Sequence, residues 1–292
     1  MNIGIPGLGL IGGSMAKAIK RYTEHTVLGF DQDETVMEAA LSDGSIDGRL
    51  TAEKLGSCQI LLPALYPAAT VQYVKEMLPF LPEDLLIVDL CGVKAAVMDP
   101  IGQLSLPKGA VYIGGHPMAG KEKSGFRYAE ANLFQGASMI LVPQKQAVKS
   151  GDPDYEALYD RALRYAGDFF LSLGFARITR TTKEEHDRII AYTSQLAHVV
   201  SSAYMKSPTA LLHSGFSAGS YKDLTRVARL NEEMWTELFL DNRTALLTEL
   251  DAMIESLCAY RKAIRAGDKE GLKAQLREGR ERKEQIDSYE KS

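Results

Sequence analysis

Short apolar runs alternate with longer segments of helical spacing from residue 1 to about residue 180. Apolar runs bounded by turn residues predict strands, and apolar positions three or four residues apart predict helices. The predicted strands are 2–6, 26–30, 59–62, 85–90, 111–114, 138–142 and 176–179. The stretch 143–153 is polar and turn-rich, and a helix predicted at 155–173 follows it. This alternation is typical of parallel βαβ units in an α/β domain.

The remainder of the chain shows no strand pattern. Helical spacing predicts helices at 183–206, 221–229, 231–266 and 269–289. The last of these is highly charged, which is typical of a solvated helix face. We therefore predict a boundary near Thr182, with an α/β N-terminal domain of Rossmann type at 1–182 and an all-α C-terminal domain at 183–292.

Composition narrows the class of protein. Of the 292 residues 45% are hydrophobic, enough for a sizeable core, and 34 basic against 38 acidic residues give a net charge of -4. This balance gives no pull toward nucleic acid or anionic membrane, so a small-molecule substrate is expected. Three cysteines without metal-type spacing are expected to be free thiols. The chain enters a strand directly, without a leader or a spanning apolar run, so we expect a cytoplasmic, unexported protein.

A glycine-rich loop follows the first predicted strand. Its sequence is Gly7-Leu8-Gly9-Leu10-Ile11-Gly12, and a helix begins after it. In a strand-loop-helix context, G-x-G-x-x-G predicts a dinucleotide site, because the glycines allow a tight turn and close approach to a pyrophosphate at the helix N-terminus. A glycine turn kept for steric reasons is the alternative. We predict that Gly7, Gly9, Leu10, Ile11 and Gly12 contact the cofactor.

An acidic residue ends the second predicted strand. Asp31 is placed to accept hydrogen bonds from the hydroxyls of the adenosine ribose. A 2'-phosphate would meet Asp31 together with Asp33 and Glu34, and we expect no arginine or lysine nearby to receive it. The sequence therefore predicts NAD as the cofactor, with a turn-forming aspartate as the alternative reading of Asp31.

A second glycine-rich loop carries a histidine at the end of the strand predicted at 111–114. It runs Gly114-Gly115-His116-Pro117-Met118-Ala119-Gly120-Lys121-Glu122-Lys123-Ser124-Gly125. Strand carboxyl ends are where open α/β sheets bind ligands. The first loop extended to Gly13-Ser14, followed by this His-Pro-Met-Ala-Gly-x-Glu-x-Ser-Gly pattern, resembles the prephenate dehydrogenase family over essentially the whole chain.

The resemblance implies roles for two residues of this loop. His116 would accept a hydrogen bond from the ring hydroxyl of the substrate as hydride leaves the same carbon for NAD, which suits a neutral imidazole. Glu122 would help to organise the substrate pocket and its arginine. The alternatives are a histidine that only caps the loop and an isolated surface glutamate.

The resemblance continues into the helical domain. Thr193-Ser194-Gln195-Leu196-Ala197-His198 is similar to the family's Ser-His-Leu-Pro-His helix, with the first histidine and the proline replaced. His198 would line the substrate pocket. The segment from Gly215 to Arg226 resembles a glycine-rich turn and helix of the family, which makes Arg226 the arginine that holds a substrate carboxylate.

The same resemblance places Gly219 close to the ligand and Trp235 near the site. The alternatives are that His198 is a core histidine, that Arg226 is an ordinary surface arginine and that Trp235 is a core tryptophan.

One position departs from the family pattern. The family usually has a serine that supports the catalytic histidine two residues before Lys94, and this chain has Gly92 there. We expect Cys91, Ser124 or water to orient His116 instead, and Lys94 to lie near the nicotinamide end of the cofactor. His186-Asp187 is similar to a metal-binding pair, but further ligands are missing at suitable spacing, so no metal is predicted.

The resemblance implies NAD-dependent oxidative decarboxylation of prephenate to 4-hydroxyphenylpyruvate in tyrosine biosynthesis, by a homodimer built through the helical domain. The chain ends soon after that domain, so we expect no appended amino-acid-sensing domain. The rivals are an arogenate dehydrogenase, a catalytically silent NAD-binding or redox-sensing protein, and a hydroxyacid or imino-acid dehydrogenase of similar build. Retention of His116 and Arg226 argues against the silent protein.

Overall fold

The computed structural model of this chain describes residues 1–144 and 153–290, so most of the stretch predicted as turn-rich, residues 145–152, lies outside the described residues. The strands are β1 (Asn2–Pro6), β2 (Thr26–Phe30), β3 (Gly48–Arg49), β4 (Ile60–Leu61), β5 (Leu86–Val88), β6 (Val111–Pro117), β7 (Ser138–Pro143) and β8 (Arg177–Arg180). The helices of the first part are α1 (Leu10–Tyr22), α2 (Glu34–Ser42), α3 (Ala52–Leu55), α4 (Pro67–Met77), α5 (Ala95–Gly102) and α6 (Pro153–Ser172).

All eight strands form one sheet in the order β3-β2-β1-β4-β5-β6-β7-β8. Neighbouring strands are parallel, apart from β6 and β7, which are antiparallel. The order reverses between β1 and β4, which is the topological switch point where doubly wound sheets bind dinucleotides. The predicted α/β domain is confirmed.

Both faces of the sheet are covered by apolar side chains. In β5, Leu86 and Val88 belong to the core on one face and Ile87 to the core on the other. Successive side chains of a strand point to opposite faces, so a strand buried on both faces must be apolar throughout. This is why the central strands appear in the sequence as continuous apolar runs.

Helices follow β8. They are α7 (Lys183–Ile190), α8 (Ala197–Tyr204), α9 (Gly219–Thr225), α10 (Glu232–Asp241), α11 (Arg243–Ala266) and α12 (Lys269–Glu290). Residues Ala191–Leu196 form a π-helical segment that joins α7 to α8. No strand occurs among the described residues after Arg180, so the predicted helical part is confirmed as well.

The chain folds as two compact units, residues 1–243 and residues from 244 onward. The first unit contains the sheet together with α7 to α10, and every residue predicted to act in the site lies in it. The division near Thr182 stays a prediction. Over the described ranges, the helices lack the length and apolar character needed to cross a membrane.

Candidate active site

The glycine loop makes a tight connection between β1 and α1. Gly7 has a φ of 88°, in the left-handed region that favours glycine, and its N–H donates to the carbonyl oxygen of Phe30 at 2.7 Å. A Cβ at Gly12 would lie 1.8 Å from the Gly7 carbonyl oxygen, so a side chain there is sterically excluded. Helix α1 therefore begins directly behind the loop, at Leu10.

The loop leaves room for a ligand. A Cβ at Gly9 would have no heavy atom within 4 Å, so the space in front of this residue is open. Gly9 is the N-cap of α1 and no side chain caps this helix end, whose N–H groups and dipole favour an anion. The open approach and the helix terminus together fit the pyrophosphate of a dinucleotide.

Asp31 lies beside this loop. One carboxylate oxygen accepts the N–H of Leu8 at 2.8 Å and the other accepts the N–H of Asp33 at 3.0 Å. The acid predicted to bind the ribose is thus held at the glycine loop. Arg49 on β3, which is distant in sequence, forms an ion pair with Glu34, so a basic residue is closer to this end of the sheet than the sequence suggested.

His116 is in β6, near the strand's carboxyl end, and its ring contacts a second histidine. His116 Nδ1 lies 2.9 Å from His186 Nε2, and His186 Nδ1 lies 2.7 Å from a carboxylate oxygen of Asp187. Burial lowers the pKa of His116 well below its usual value, and the neighbouring His186 and Lys94 lower it further. His116 is therefore neutral at neutral pH and can accept a proton.

Neither Cys91 nor Ser124 contacts His116 in the way expected from the sequence. The sulfur of Cys91 contacts Thr70 Oγ1 at 3.3 Å and the carbonyl oxygen of Leu65 at 3.5 Å, and Ser124 is exposed. Instead, His116 contacts His186, which lies on α7, and α7 packs against the start of α5. The sequence signal for this contact is the adjacent pair His186-Asp187, which by its residue types alone suggested only a metal-binding pair.

No group of three or more potential metal ligands occurs in the part of the chain that the structure describes. In His186, one ring nitrogen faces His116 and the other faces Asp187, so both are engaged in hydrogen bonds.

Lys94 is completely buried. Its ammonium group pairs with Asp89 and donates to the carbonyl oxygen of Gly115 at 2.5 Å. The other oxygen of the Asp89 carboxylate accepts the hydroxyl of Tyr112 at 2.8 Å. The structure thus places the Lys94 cation beneath the β6 end that carries His116, and its contact with the nicotinamide stays a prediction.

His198 and Trp235 stack against each other, with ring centroids 3.9 Å apart. His198 Nδ1 donates to the carbonyl oxygen of Ser194 at 2.8 Å, which leaves Nε2 for another partner. Burial lowers the pKa of His198 in spite of this hydrogen bond, and the positive charge of Arg226 adds to the effect. The structure therefore brings the two predicted aromatic site residues together near Arg226.

Gln195, which replaces the first histidine of the family pattern, is buried. Its amide nitrogen donates to the carbonyl oxygen of Leu238 at 2.9 Å, and its oxygen accepts the amide of Asn242 at 2.8 Å. Asn242 also donates to the carbonyl oxygen of Asp187 at 2.8 Å. Gln195 thus links α10 to the helix that carries Asp187.

Arg226 forms an ion pair with Glu122, as the resemblance implied. Both side chains are largely exposed, the arginine at 64% and the glutamate at 40%. Gly219 begins α9, and a Cβ at this position would meet nothing within 4 Å. The guanidinium and the open backbone near it leave space for a carboxylate ligand.

Gly92 leaves the Nε2 side of His116 uncovered. A Cβ at Gly92 would lie 4.0 Å from His116 Nε2 and 3.6 Å from a methyl carbon of Leu238. Leu238 lies one turn after Trp235 on α10, so α10 connects the His116 site with the stacked His198. A Cβ at this position would thus fit in van der Waals contact with both groups, and glycine leaves that volume unfilled.

Two family models match this chain. The one described as the nucleotide-binding domain of prephenate dehydrogenase matches residues 15–153, and the one described as its dimerization domain matches residues 182–278. The cyclohexadienyl dehydrogenase of Zymomonas mobilis is 33% identical over 290 residues, which cover 95% of this chain and 93% of that protein.

Solved structures agree in fold. The prephenate dehydrogenase of A. aeolicus, in complex with hydroxyphenyl propionate and NAD+, has a TM-score of 0.80 and 27% identity, with 98% of each chain covered. The arogenate dehydrogenase of Synechocystis has a TM-score of 0.75 and 26% identity, with 98% of this chain and 100% of that chain covered. The chain therefore belongs to the prephenate dehydrogenase family of oxidoreductases.

Proposed function

We propose that this protein catalyses the NAD-dependent oxidative decarboxylation of prephenate to 4-hydroxyphenylpyruvate, a step of tyrosine biosynthesis. One observation carries the proposal. A neutral histidine, His116, lies at the carboxyl edge of the sheet in the same compact unit as a dinucleotide loop and an exposed arginine. A base, a cofactor site and a carboxylate-binding group are what this reaction requires.

The cofactor is NAD, which supplies the hydride acceptor when it is bound. The glycine loop would hold its pyrophosphate and Asp31 would hold its adenosine ribose, since Gly9 is open and the Asp31 carboxylate adjoins the loop. A 2'-phosphate would be repelled by Asp31, and the guanidinium of Arg49 is already paired with Glu34.

His116 would act on the hydroxyl proton of the substrate. As hydride leaves the hydroxyl-bearing ring carbon, Nε2 takes the hydroxyl proton and the ring becomes a dienone. The bond from the ring to its carboxylate then breaks, carbon dioxide leaves, and the electron pair flows through the ring to the oxygen. His116 returns the proton to that oxygen, which gives the phenol and restores the neutral base.

Arg226 would hold a carboxylate of the substrate. Its fork can make two parallel charge-assisted hydrogen bonds, and it is exposed enough to reach a ligand. His198 and Trp235 would line the pocket of the planar ring, and Glu122 would position Arg226. The protein then has only to align the reacting atoms, since aromatisation supplies the driving force.

Arogenate is the second candidate substrate. The Synechocystis structure is named for arogenate, which has an amine where prephenate has a keto group. The pocket residues described above recognise the ring and a carboxylate, which both compounds share. A single enzyme preparation with NAD should be given each compound in turn while NADH absorbance is followed.

We expect the higher kcat/KM with prephenate. Preference for arogenate would move the assignment to arogenate dehydrogenase, and oxidation of neither compound would contradict the proposed function.

We also propose that the protein is a homodimer in the cytoplasm. The family model that covers residues 182–278 is described as a dimerization domain. Helices α11 and α12 leave several apolar side chains open, among them Leu257 at 57% and Ile264 at 65% exposure. The three cysteines are free thiols, as expected in a reducing compartment. A monomeric mass by light scattering at micromolar concentration would contradict the dimer.

A further inference from the structure

His186 contacts the Nδ1 side of His116, the proposed base. Its Nε2 lies 2.9 Å from His116 Nδ1, and the two rings are tilted by 58° with centroids 5.2 Å apart. His186 is 2% exposed, so water does not compete for this contact. The far nitrogen of His186 faces the Asp187 carboxylate at 2.7 Å. Two histidines and one carboxylate therefore form a single buried chain of hydrogen bonds.

Asp187 is the last member of this hydrogen-bonded series and is itself held in place by the backbone. One carboxylate oxygen accepts the backbone N–H of Lys94 and the other accepts that of Ala95, both at 2.8 Å. These N–H groups open α5, where the helix dipole favours a negative charge. Burial raises the pKa of Asp187, but its hydrogen bonds from His186 and the two backbone groups outweigh this and lower it. Asp187 is therefore ionised and can only accept.

The positions of the protons follow in turn. Because the carboxylate can only accept, His186 Nδ1 must carry a hydrogen and donate it to Asp187. Burial lowers the pKa of His186, so its ring is neutral and its Nε2 has a bare lone pair. That lone pair can only accept, so His116 Nδ1 must be the donor. His116 Nε2 is then the unprotonated nitrogen.

We propose that His186 and Asp187 are positioning residues that fix the tautomer of His116, so that its basic Nε2 faces the space left by Gly92. The inference rests on the proposed function. In that space a Cβ at Gly92 would lie 4.0 Å from Nε2, so a substrate hydroxyl can approach there. Orientation of the ring thus comes from its Nδ1 side.

The test begins with the wild-type protein. The chain has five histidines, so ¹⁵N-labelled histidine and two-bond ¹H–¹⁵N correlation spectra resolve each tautomer, with His116→Asn to assign the signal. We expect His116 protonated at Nδ1 and bare at Nε2 at neutral pH. Protonation at Nε2 instead would overturn the proposal without any variant.

His186→Phe keeps the ring and removes the acceptor. We expect His116 to shift to the Nε2-protonated tautomer and kcat to fall roughly 10²- to 10³-fold with KM little changed. Asp187→Asn keeps the shape of the side chain. It should shift the tautomer of His116 in the same direction and lower kcat by a smaller factor. His25→Phe is the matched control, because His25 stacks on Phe169 away from this site.

An unchanged His116 tautomer and a kcat within about threefold in His186→Phe would reduce His186 to a core histidine. Binding of NAD, followed by fluorescence, checks that each variant is folded. If the wild type oxidises neither prephenate nor arogenate, the proposed function fails. The tautomer spectra still decide whether His186 and Asp187 fix the tautomer of His116.

Discussion

Two ion-paired regions serve the candidate active site and differ in their exposure to solvent. Lys94 and Asp89 are both 0% exposed, whereas Arg226 and Glu122 are 64% and 40% exposed. Removing one member of a buried pair leaves a charge without compensation, while an exposed pair is weakened by water and salt. The buried region therefore fixes geometry, and the exposed region can exchange its partner for a substrate carboxylate.

The largest expected effect on turnover is at His116, the proposed base, which lies beside the buried Lys94–Asp89 pair. His116→Asn keeps the shape and removes the basic nitrogen, so kcat should fall roughly 10²- to 10⁴-fold. In the wild type, activity requires neutral His116 and is lost as the pH falls through its pKa. Burial lowers that pKa, so the acidic limb should lie below about 6.5 and should vanish in the variant.

Steady-state kinetics across pH check this prediction, with NAD binding unchanged as the control. If turnover and the acidic limb survive, the base lies elsewhere. His198 is then the next candidate, because its Nε2 is left for another partner.

The buried pair itself should be costly to break. Lys94→Met leaves the Asp89 carboxylate without its cation and should lower the free energy of unfolding by about 3 to 5 kcal/mol. Lys20→Met is the matched control, because Lys20 pairs with Asp47 at the surface and should lose less than about 1 kcal/mol. Urea unfolding followed by circular dichroism measures both. Equal losses would contradict the contrast between the two regions.

The exposed arginine should matter for binding more than for chemistry. Arg226→Ala removes a charge-assisted contact worth about 1.5 to 3 kcal/mol, so KM for prephenate should rise roughly 10- to 150-fold with a smaller change in kcat. Arg229→Ala, an exposed arginine further along the same segment, is the control and should leave KM within about twofold. A large fall in kcat at unchanged KM would place Arg226 in the chemical step.

The smallest effect is expected at the partner of this arginine. Glu122→Gln keeps the shape and removes the charge, so Arg226 is held less firmly and KM should rise by up to about fivefold. The difference from wild type should shrink in high salt, because screening already weakens an exposed pair. Kinetics at two salt concentrations measure this. A fall in KM would show that Glu122 competes with the substrate for Arg226.

The sequence predicted the fold best where the local pattern is strong. The bounds of β1 and β2 agree with the predicted strands 2–6 and 26–30, because each is a continuous apolar run between turn residues. Strand β3 was missed, since its two residues Gly48 and Arg49 carry no apolar pattern and pair only through β2. The short strand exists because its neighbour in the sheet supplies the hydrogen bonds.

The sequence motifs name candidate site residues, but they do not predict which of these residues contact one another. The motifs gave His116 and Arg226, whereas the contact from His116 to His186 spans 70 residues and depends on how α7 packs on α5. Arg49 was overlooked near Asp31 for the same reason, because adjacent strands bring distant residues together. The hydrophobic periodicity of a single segment does not predict contacts between residues that are distant in the sequence.

The π-helical segment Ala191–Leu196 adjusts the angular phase between the two histidines of its helix. His186 and His198 are twelve residues apart, and an α-helix turns about 100° per residue, so a regular helix would leave them about 120° out of phase. Bonding from i to i+5 winds more residues into each turn, which rotates His198 back toward the side of His186. The number of residues in this helix is therefore as much a determinant of the pocket as their identity. A variant that restored regular winding at the same length would turn His198 about 120° away from the side of His186, whereas a one-residue deletion would leave the two histidines only about 20° out of phase.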